Sequence, residues 1–429
     1  MSSAEPAEVE DEIRPGLRSA VAAFRYRNFA LFWTGALISN TGGWVQNLTI
    51  PYVVYQLTGS AAWVGFASFS LLITASILGP VGGTLADRFH RRSVLLVMQS
   101  AQAGVAFALW GAWSAGVRSP GVIVALAATS GIFAGLYIGS WQAFVSELVP
   151  REALLNAVTL NSAQFSAARA FGPAVGGVVL ALVGPGWAFF VNGVSFLAVI
   201  VALLLIRVPR LAEKQGGPLR VLSELGETVR YVRASPGIAT CIAVVLALGF
   251  FGSPVFQLVV VFAEEVWAVG ALAFGLLSAA LGIGAILGLP LVAGWGASLP
   301  RRVLVAGAML GYGGSLILFA LAPVAAVGFV ALLGAGAGYL AIASSLNTTI
   351  QLQVDERKRG KVLSFYVLAI TLSAPLGSLL QGFSSEAIGP RVTVATAGVA
   401  FLVVLVVIRA RGSLSYLDDE VAQPAVEAA

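Results

Sequence analysis

The chain has 429 residues, 58% of them hydrophobic and only 10% charged, with 25 Lys and Arg against 20 Asp and Glu for a formal net charge of +5. A soluble domain carries about 25% charged residues, so the composition excludes one. A single cysteine and a single histidine exclude a disulfide framework within the chain and a Cys/His metal centre.

What remains is an all-α, polytopic membrane protein. Residues 1–28 read as a cytoplasmic tail, acidic from Glu5 to Glu12 and basic from Arg14 to Arg27. Leu17, Val21 and Phe24 between those bases suggest a short helix along the membrane surface. No signal peptide is expected there. Twelve apolar segments follow, each near the roughly 20 residues that a span needs. They lie at about 29–55, 63–86, 93–115, 120–147, 154–183, 187–207, 237–263, 268–294, 301–322, 324–351, 360–385 and 391–409.

Of the 25 Lys and Arg, all but Arg118, Arg169 and Arg391 fall in the tails or in alternate connections. Basic residues are retained on the cytoplasmic side, so the split predicts an even number of spans with both ends inside. The 208–236 connection is the one long hydrophilic interruption. Its Leu219, Leu222, Leu225, Val229 and Val232 predict an amphipathic helix. The expected organisation is a six-helix bundle at 29–207, a cytoplasmic linker at 208–236, a second bundle at 237–409 and a cytoplasmic tail at 410–429. A weak repeat agrees. At an offset of 205, Val149 meets Val354, Gly172 meets Gly377 and Gly177 meets Gly382. At about 210, Arg91-Arg92 meets Arg301-Arg302, while Ala297 stands where Asp87 would fall. The fold class is therefore twelve transmembrane helices in two pseudo-symmetric six-helix bundles.

Polar residues inside spans are the candidates for function, because they are costly in lipid unless they face protein or water. Asn40, Gln46 and Asn47 make the first span unusually polar. Asn161, Gln164 and Arg169 lie on the fifth, and Arg169 is the only base within a span. It either caps carbonyls of a Pro-bent helix or serves substrate or gate. Trp141 and Gln142 on span four, Phe251 and Gln257 on span seven, and Tyr339 and Asn347 on span ten mix aromatic and amide groups, as a bulky amphipathic ligand requires. Each also fits plain packing or an interhelical hydrogen bond. At the inner edge, Glu147 can pair with Arg91 or Arg92, and Asp87 with Arg359 across the two halves. No Asp or Glu is placed at mid-depth in the first six spans. Glu264, Glu265 and Glu386 fall near the outer edge.

The hairpin Gly82–Arg92, in which Gly83, Leu85, Asp87, Arg88, Arg91 and Arg92 fit the pattern, resembles the loop signature of the major facilitator superfamily, with His90 where many members have Gly. The run Gly172-Pro173-Ala174-Val175-Gly176-Gly177 resembles the fifth-helix signature of its proton-coupled exporters, with Ala168 in place of a glycine. The segments 24–33, 43–46 and 55–60, together with Leu160-Asn161-Ser162, Ala168-Arg169 and Gly172-Pro173, are similar to the enterobactin-exporter-like branch. The similarity covers about 24–180 well and the second half in general pattern. It implies alternating access in a bacterial-type inner membrane, with proton-driven export of a siderophore or drug-like small molecule. The expected partners are that substrate, protons and the lipid bilayer, with no nucleic acid, cofactor or metal, and the chain is expected to work as a monomer. An importer or facilitator on the same fold is the alternative. A membrane receptor or integral enzyme is the remote one, since no nucleophile–base pair or phosphate loop is visible.

Overall fold

The structure, a computed structural model, describes residues 21–207 and 221–418. Every regular element among them is helical. The first half runs α1 (Arg27–Thr58), α2 (Ala61–Arg88), α3 (Arg91–Ser114) and α4 (Pro120–Val145). A 52-residue helical run, Leu154–Leu205, follows. Gly184 breaks it at φ 81° and ψ 178°, a backbone state open only to glycine, and Pro185 restarts it. We call its limbs α5 (154–183) and α6 (185–205). The amphipathic α7 (Val221–Ala234) leads to the second half. There follow α8 (Pro236–Val266), α9 (Gly270–Ala293), α10 (Arg301–Leu321), α11 (Ala325–Gln353), α12 (Arg359–Ile388) and α13 (Pro390–Ala410).

Local chemistry sets these ends. Ser60 accepts from Trp63 N–H at 3.3 Å to cap α2, and prolines open α4, α8 and α13 where a missing N–H costs nothing. Among the described residues ten helical segments are long and apolar enough to cross a membrane. The 32-residue α1 is not among the ten. Its threonines return their hydroxyls to their own helix, Thr41 to Leu37 O and Thr49 to Val45 O, both at 2.7 Å.

Two features depart from the expected pattern. The predicted surface helix from Arg14 lies mostly outside the described residues. Its described part is one 3₁₀ turn, Ala22–Arg25, tied down by Ala23 N–H donating to Asn156 Oδ1 at 2.8 Å, and α1 already begins at Arg27. The seventh span is not a plain α-helix but carries π turns at Leu248–Gly252 and Phe262–Val266. Pro254 supplies no N–H, and the amide of Gln381 on α12 donates to the carbonyls of Phe250 (3.1 Å) and Phe251 (3.0 Å) beside it.

Helices α1 to α6 pack mainly on one another, as do α8 to α13. The two sets meet chiefly where α2 faces α12 and α5 faces α9. Both faces are made of small residues: a Cβ on Gly65 would lie 2.5 Å from Ser378 O and 2.8 Å from Gly382 Cα, and one on Gly275 would lie 2.5 Å from Gly177 Cα. Both ends of the described chain sit at one end of the bundle, here termed basal, and α7 docks there. Lys361 of α12 pairs with Glu227 at 3.7 Å, and the Lys358 ammonium stands 4.2 Å from the centre of the Tyr231 ring.

Candidate functional site

Four hydrogen bonds join the two sets of helices on the side away from the basal end. At the distal end Gln56 donates to Glu264 Oε2 at 2.6 Å, Tyr55 to Glu265 Oε2 at 3.0 Å, and Ala62 N–H to Glu386 Oε2 at 3.4 Å. Deeper in, Ser76 Oγ donates to Thr371 O at 2.7 Å. Tyr52 stacks on Phe274 with centroids 6.0 Å apart. Below this closure is a cavity of about 140 Å³ at mid-depth, lined by both sets. Trp44, Asn47 and Pro51 come from α1, Ser68 and Leu72 from α2, Arg169 and Pro173 from α5, Phe256 and Gln257 from α8, and Phe274 and Ser278 from α9. Whole-ligand pockets run to about 300–1,000 Å³, so this volume seats one group of a ligand, not a large molecule.

Arg169 dominates its electrostatics. The guanidinium carbon lies 5.0 Å from the ring centre of Phe256 and 5.4 Å from that of Tyr339. Those rings meet edge to face at 5.7 Å, and Tyr312 stands behind Tyr339 at 6.2 Å. The Nε of Arg169 is buried with no partner, and no ion pair reaches the guanidinium among the described residues. Among the described residues it caps no carbonyl, which was one of the two roles open to it. It offers a positive charge, backed by aromatic faces, into a cavity that spans both halves.

The other candidates separate. Asn47 and Gln257 line the cavity, and Tyr339 flanks it. Gln46 turns the other way and accepts from Asn192 Nδ2 at 2.8 Å inside the first half. Trp141 is buried among Phe32, Tyr137 and Phe165. Gln164 has 0% exposure and both amide atoms unpartnered, and Asn40 keeps a buried, unpartnered Nδ2. Asn161 is half-buried and Gln142 exposed, neither on the cavity wall. Phe251 meets Phe250 edge to face, and Asn347 accepts from Gln351 of its own helix. In the glycine run, Gly172 and Gly176 fit against Trp44 and Leu48 of α1, while only Pro173 and Gly177 face α9.

At the basal end, Arg91 pairs with Glu147 at 2.6 Å, and Arg92 donates to Leu203 O at 2.6 Å and Leu204 O at 3.1 Å, closing the end of α6. Gly139 lets α4 approach α2 at Gly83, where a Cβ on Gly83 itself would meet nothing within 4 Å. Asp87, Arg88 and Arg359 are exposed, and among the described residues no ion pair joins Asp87 to Arg359.

The pairing partners at the distal closure were not legible from sequence. Glu264, Glu265 and Glu386 stood out as edge charges, but Gln56 and Tyr55 carry no signal that they would meet them. Phe256 and Phe274 were two aromatics among 24 phenylalanines. A contrast between neighbours tests the two faces of α1. Gln46→Leu leaves the buried Nδ2 of Asn192 without its acceptor, while Oδ1 keeps the bond from Ser195, and should cost about 1–3 kcal/mol, read as a lower melting temperature. Asn47→Leu should leave melting unchanged and cut transport about tenfold, the worth of one ligand hydrogen bond. Equal melting losses in both would place Asn47 at a packing contact.

The chain matches, over residues 18–426, the family model described as transmembrane secretion effector. It is 27% identical over 363 residues to the enterobactin exporter EntS of Escherichia coli, covering 83% of this chain and 85% of that protein. It is 24% identical to an uncharacterised MFS-type transporter, YfiS, of Bacillus subtilis over 213 residues, about half of each chain (47% and 48%). In fold it is similar to a bacterial homologue of the human lysosomal transporter Spinster, crystallised inward-facing and unoccupied, with TM-score 0.72, 16% identity and coverage of 96% and 100%. It is similar also to the nucleoside transporter NupG, with TM-score 0.70, 13% identity and coverage of 89% and 98%.

Proposed function

Because the chain belongs to the transmembrane secretion effector family of major facilitator transporters, which are not enzymes, we propose that it exports an acidic, amphipathic small molecule across a bacterial inner membrane by alternating access. The observation that carries this reading is Arg169, unpaired over Phe256 and Tyr339 in a cavity walled by both halves. An uncompensated cation at mid-depth is costly, and a substrate that brings a carboxylate, catecholate or similar anion on an aromatic frame removes that cost. The likeness to an enterobactin exporter supports the outward direction and a siderophore-like substrate.

In this reading α1 and the two limbs of the 154–205 run join the other helices to make twelve spans in two six-helix halves, at 29–207 and 237–409. The basal end is cytoplasmic, both termini are inside, and one chain holds a complete pathway as a monomer. The halves meet distally while Asp87 and Arg359 stand apart, so this is the cytoplasm-facing state. Proton antiport acts at the distal carboxylates. Glu264 accepts from Gln56 and Glu265 from Tyr55, and a proton delivered to this cluster from outside weakens the bonds that hold the gate shut. The test is uptake of labelled catecholate and drug-like amphiphiles into inverted vesicles with an imposed pH gradient. Uptake that needs the gradient and favours anions is the expected result; movement only in right-side-out vesicles would make the protein an importer.

Topology has its own check. Single cysteines at Ser93 and Ser223, in a Cys241→Ala background, should label from the cytoplasm, and one at Ser60 only from outside; Ser385, the other outer position expected from sequence, is 4% exposed and too enclosed to report. Labelling of Ser60→Cys and Ser93→Cys from the same side would end the twelve-span arrangement.

Asp87 then serves as a one-sided latch. When the basal ends close, it meets Arg359 at the start of α12, and an exposed pair of this kind is worth about 1 kcal/mol. Asp87→Asn should shift the resting equilibrium toward the cytoplasm-facing state roughly fivefold, read as faster cytoplasmic thiol labelling of Asn47→Cys. The exchange Asp87→Arg with Arg359→Asp should restore part of it. Unchanged labelling in Asp87→Asn would reduce that carboxylate to a local loop contact.

A further inference from the structure

The rings that back Arg169 are themselves held by a buried residue that does not line the cavity. Tyr312, on α10, is 0% exposed, and its hydroxyl is buried without a partner. Its ring packs edge to face on Phe401 of α13 at 5.5 Å and stands 6.2 Å from that of Tyr339 on α11. The approach to α11 passes over Gly338, where a Cβ would lie 3.0 Å from Tyr312 Cβ. On α8 the ring rests against Gly252. A Cβ there would lie 2.6 Å from Tyr312 Cε1 and 2.7 Å from its Oη, so the ring as placed leaves room only for glycine.

Gly252 sits at the break in α8. It ends the π turn after which Ser253 N–H donates to Leu248 O at 2.9 Å, and Pro254 follows with no N–H to give. Regular helix resumes at Val255, with Phe256 N–H donating to Ser253 O at 3.1 Å and Gln257 N–H to Pro254 O at 3.0 Å. Phe256 and Gln257 therefore lie in the first turn beyond the break, and the seating of the break sets where both side chains point. Gln381 of α12 fastens the carbonyls of Phe250 and Phe251. Tyr312 supports the end of the same turn at Gly252, and the ring of Tyr339 as well. Arg169 comes from the first half and meets the rings of Phe256 and Tyr339. One buried side chain thus stands under both aromatic faces of its seat.

We propose that Tyr312 is the positioning residue of the Arg169 seat, an inference that rests on the anion-export reading. Its ring holds Phe256 and Tyr339 at the spacing that leaves the guanidinium facing a bound anion, and its hydroxyl takes no part. The test reads the charge preference of the cavity and needs no substrate. Gln257→Cys in a Cys241→Ala background is treated from the cytoplasmic side with two methanethiosulfonate reagents, one carrying a sulfonate and one a trimethylammonium. Normalised to their rates with a free thiol, the anionic reagent should react about tenfold faster, since a fixed charge concentrates counter-ions in a cleft. Arg169→Ala should remove that preference. Gly252→Ala and Tyr312→Leu should each cut it about fivefold, as a small misplacement of a binding group does. The double variant, in which the smaller Leu makes room for the new methyl, should lie nearer the parent than either single one. Tyr312→Phe should keep the preference and raise melting, because it removes a buried, unpartnered hydroxyl. A parent without preference would overturn the anion seat and the positioning role together. A preference that needs Arg169 but is unmoved in Gly252→Ala and Tyr312→Leu would overturn the positioning role alone. So would a loss in Tyr312→Phe equal to that in Tyr312→Leu, since the effect would then belong to the hydroxyl.

Discussion

Arg169→Ala should lower export about 100-fold, with expression intact. The guanidinium lines the mid-depth cavity, and its fit to a bound anion is a charge-assisted contact in a site shielded from water, worth about 3 kcal/mol. Its removal should not unfold the protein. Among the described residues no carboxylate pairs with the charge, and a half-buried, unpaired cation is itself a cost. Melting of Arg169→Ala is therefore expected to be equal or slightly higher. Arg169→Lys should fail nearly as badly, since an ammonium lacks the planar fork and lies less well over the rings of Phe256 and Tyr339. Full transport in Arg169→Lys would show that positive charge alone suffices. A steep fall in melting for Arg169→Ala would give the residue back to the structure. Substrate class is read from the same pair: loss confined to acidic substrates fits the anion seat, whereas equal loss of neutral and acidic ones does not.

Helices and charge placement were legible in the chain because both follow from the solvent. Lipid demands long apolar runs, and the basic residues mark their ends, so the segments near 63–86, 93–115 and 391–409 match α2, α3 and α13 within a few residues. The fifth and sixth segments were separable in sequence at 183–187, and Gly184 is where the run breaks. Facing was less legible. A period of 3.6 places Asn40, Gly43 and Asn47 on one side, but it does not say whether that side meets a cavity or another helix. Gln46 shows the difficulty: as polar as Asn47 and adjacent to it, it is consumed by Asn192, 146 positions away. Trp141 and Gln164 likewise look like ligand groups by type and are instead enclosed by the first half. Arg169 was found by cost alone, since a charge in a span must have a use. Of its aromatic neighbours Tyr339 was a candidate and Phe256 was not, and that either meets Arg169 was not legible, because both come from helices of the other half.

Gly65→Val should force the distal end open. A Cβ there would stand 2.5 Å from Ser378 O and 2.8 Å from Gly382 Cα, both backbone atoms that no rotamer change can move. The clash can be relieved only by separating α2 from α12. The same two-sided smoothness recurs where Gly177 meets Gly275, so Gly275→Val should act in the same direction through α5 and α9. Overpacking costs about 1–3 kcal/mol. Here it falls on one state alone, because the distal contacts exist only while that end is shut. A bias of about 2 kcal/mol moves a two-state population roughly 30-fold. The variant should therefore favour the state that opens distally, where Tyr55 and Gln56 no longer reach Glu265 and Glu264. A membrane-impermeant thiol reagent added from outside reads it, with Asn47→Cys in a Cys241→Ala background as the cavity reporter. Outside labelling should rise at least tenfold, cytoplasmic labelling should fall, and export should slow because the return step is now uphill. The double variant Gly65→Val with Asp87→Asn sets the two devices against each other. The distal wedge pushes toward closure of the basal ends and the missing latch removes what would hold them, so labelling should fall partway back. If Gly65→Val labels like the parent from both sides and still folds, the α2–α12 face is a fixed seam, and the moving surface of this transporter lies elsewhere.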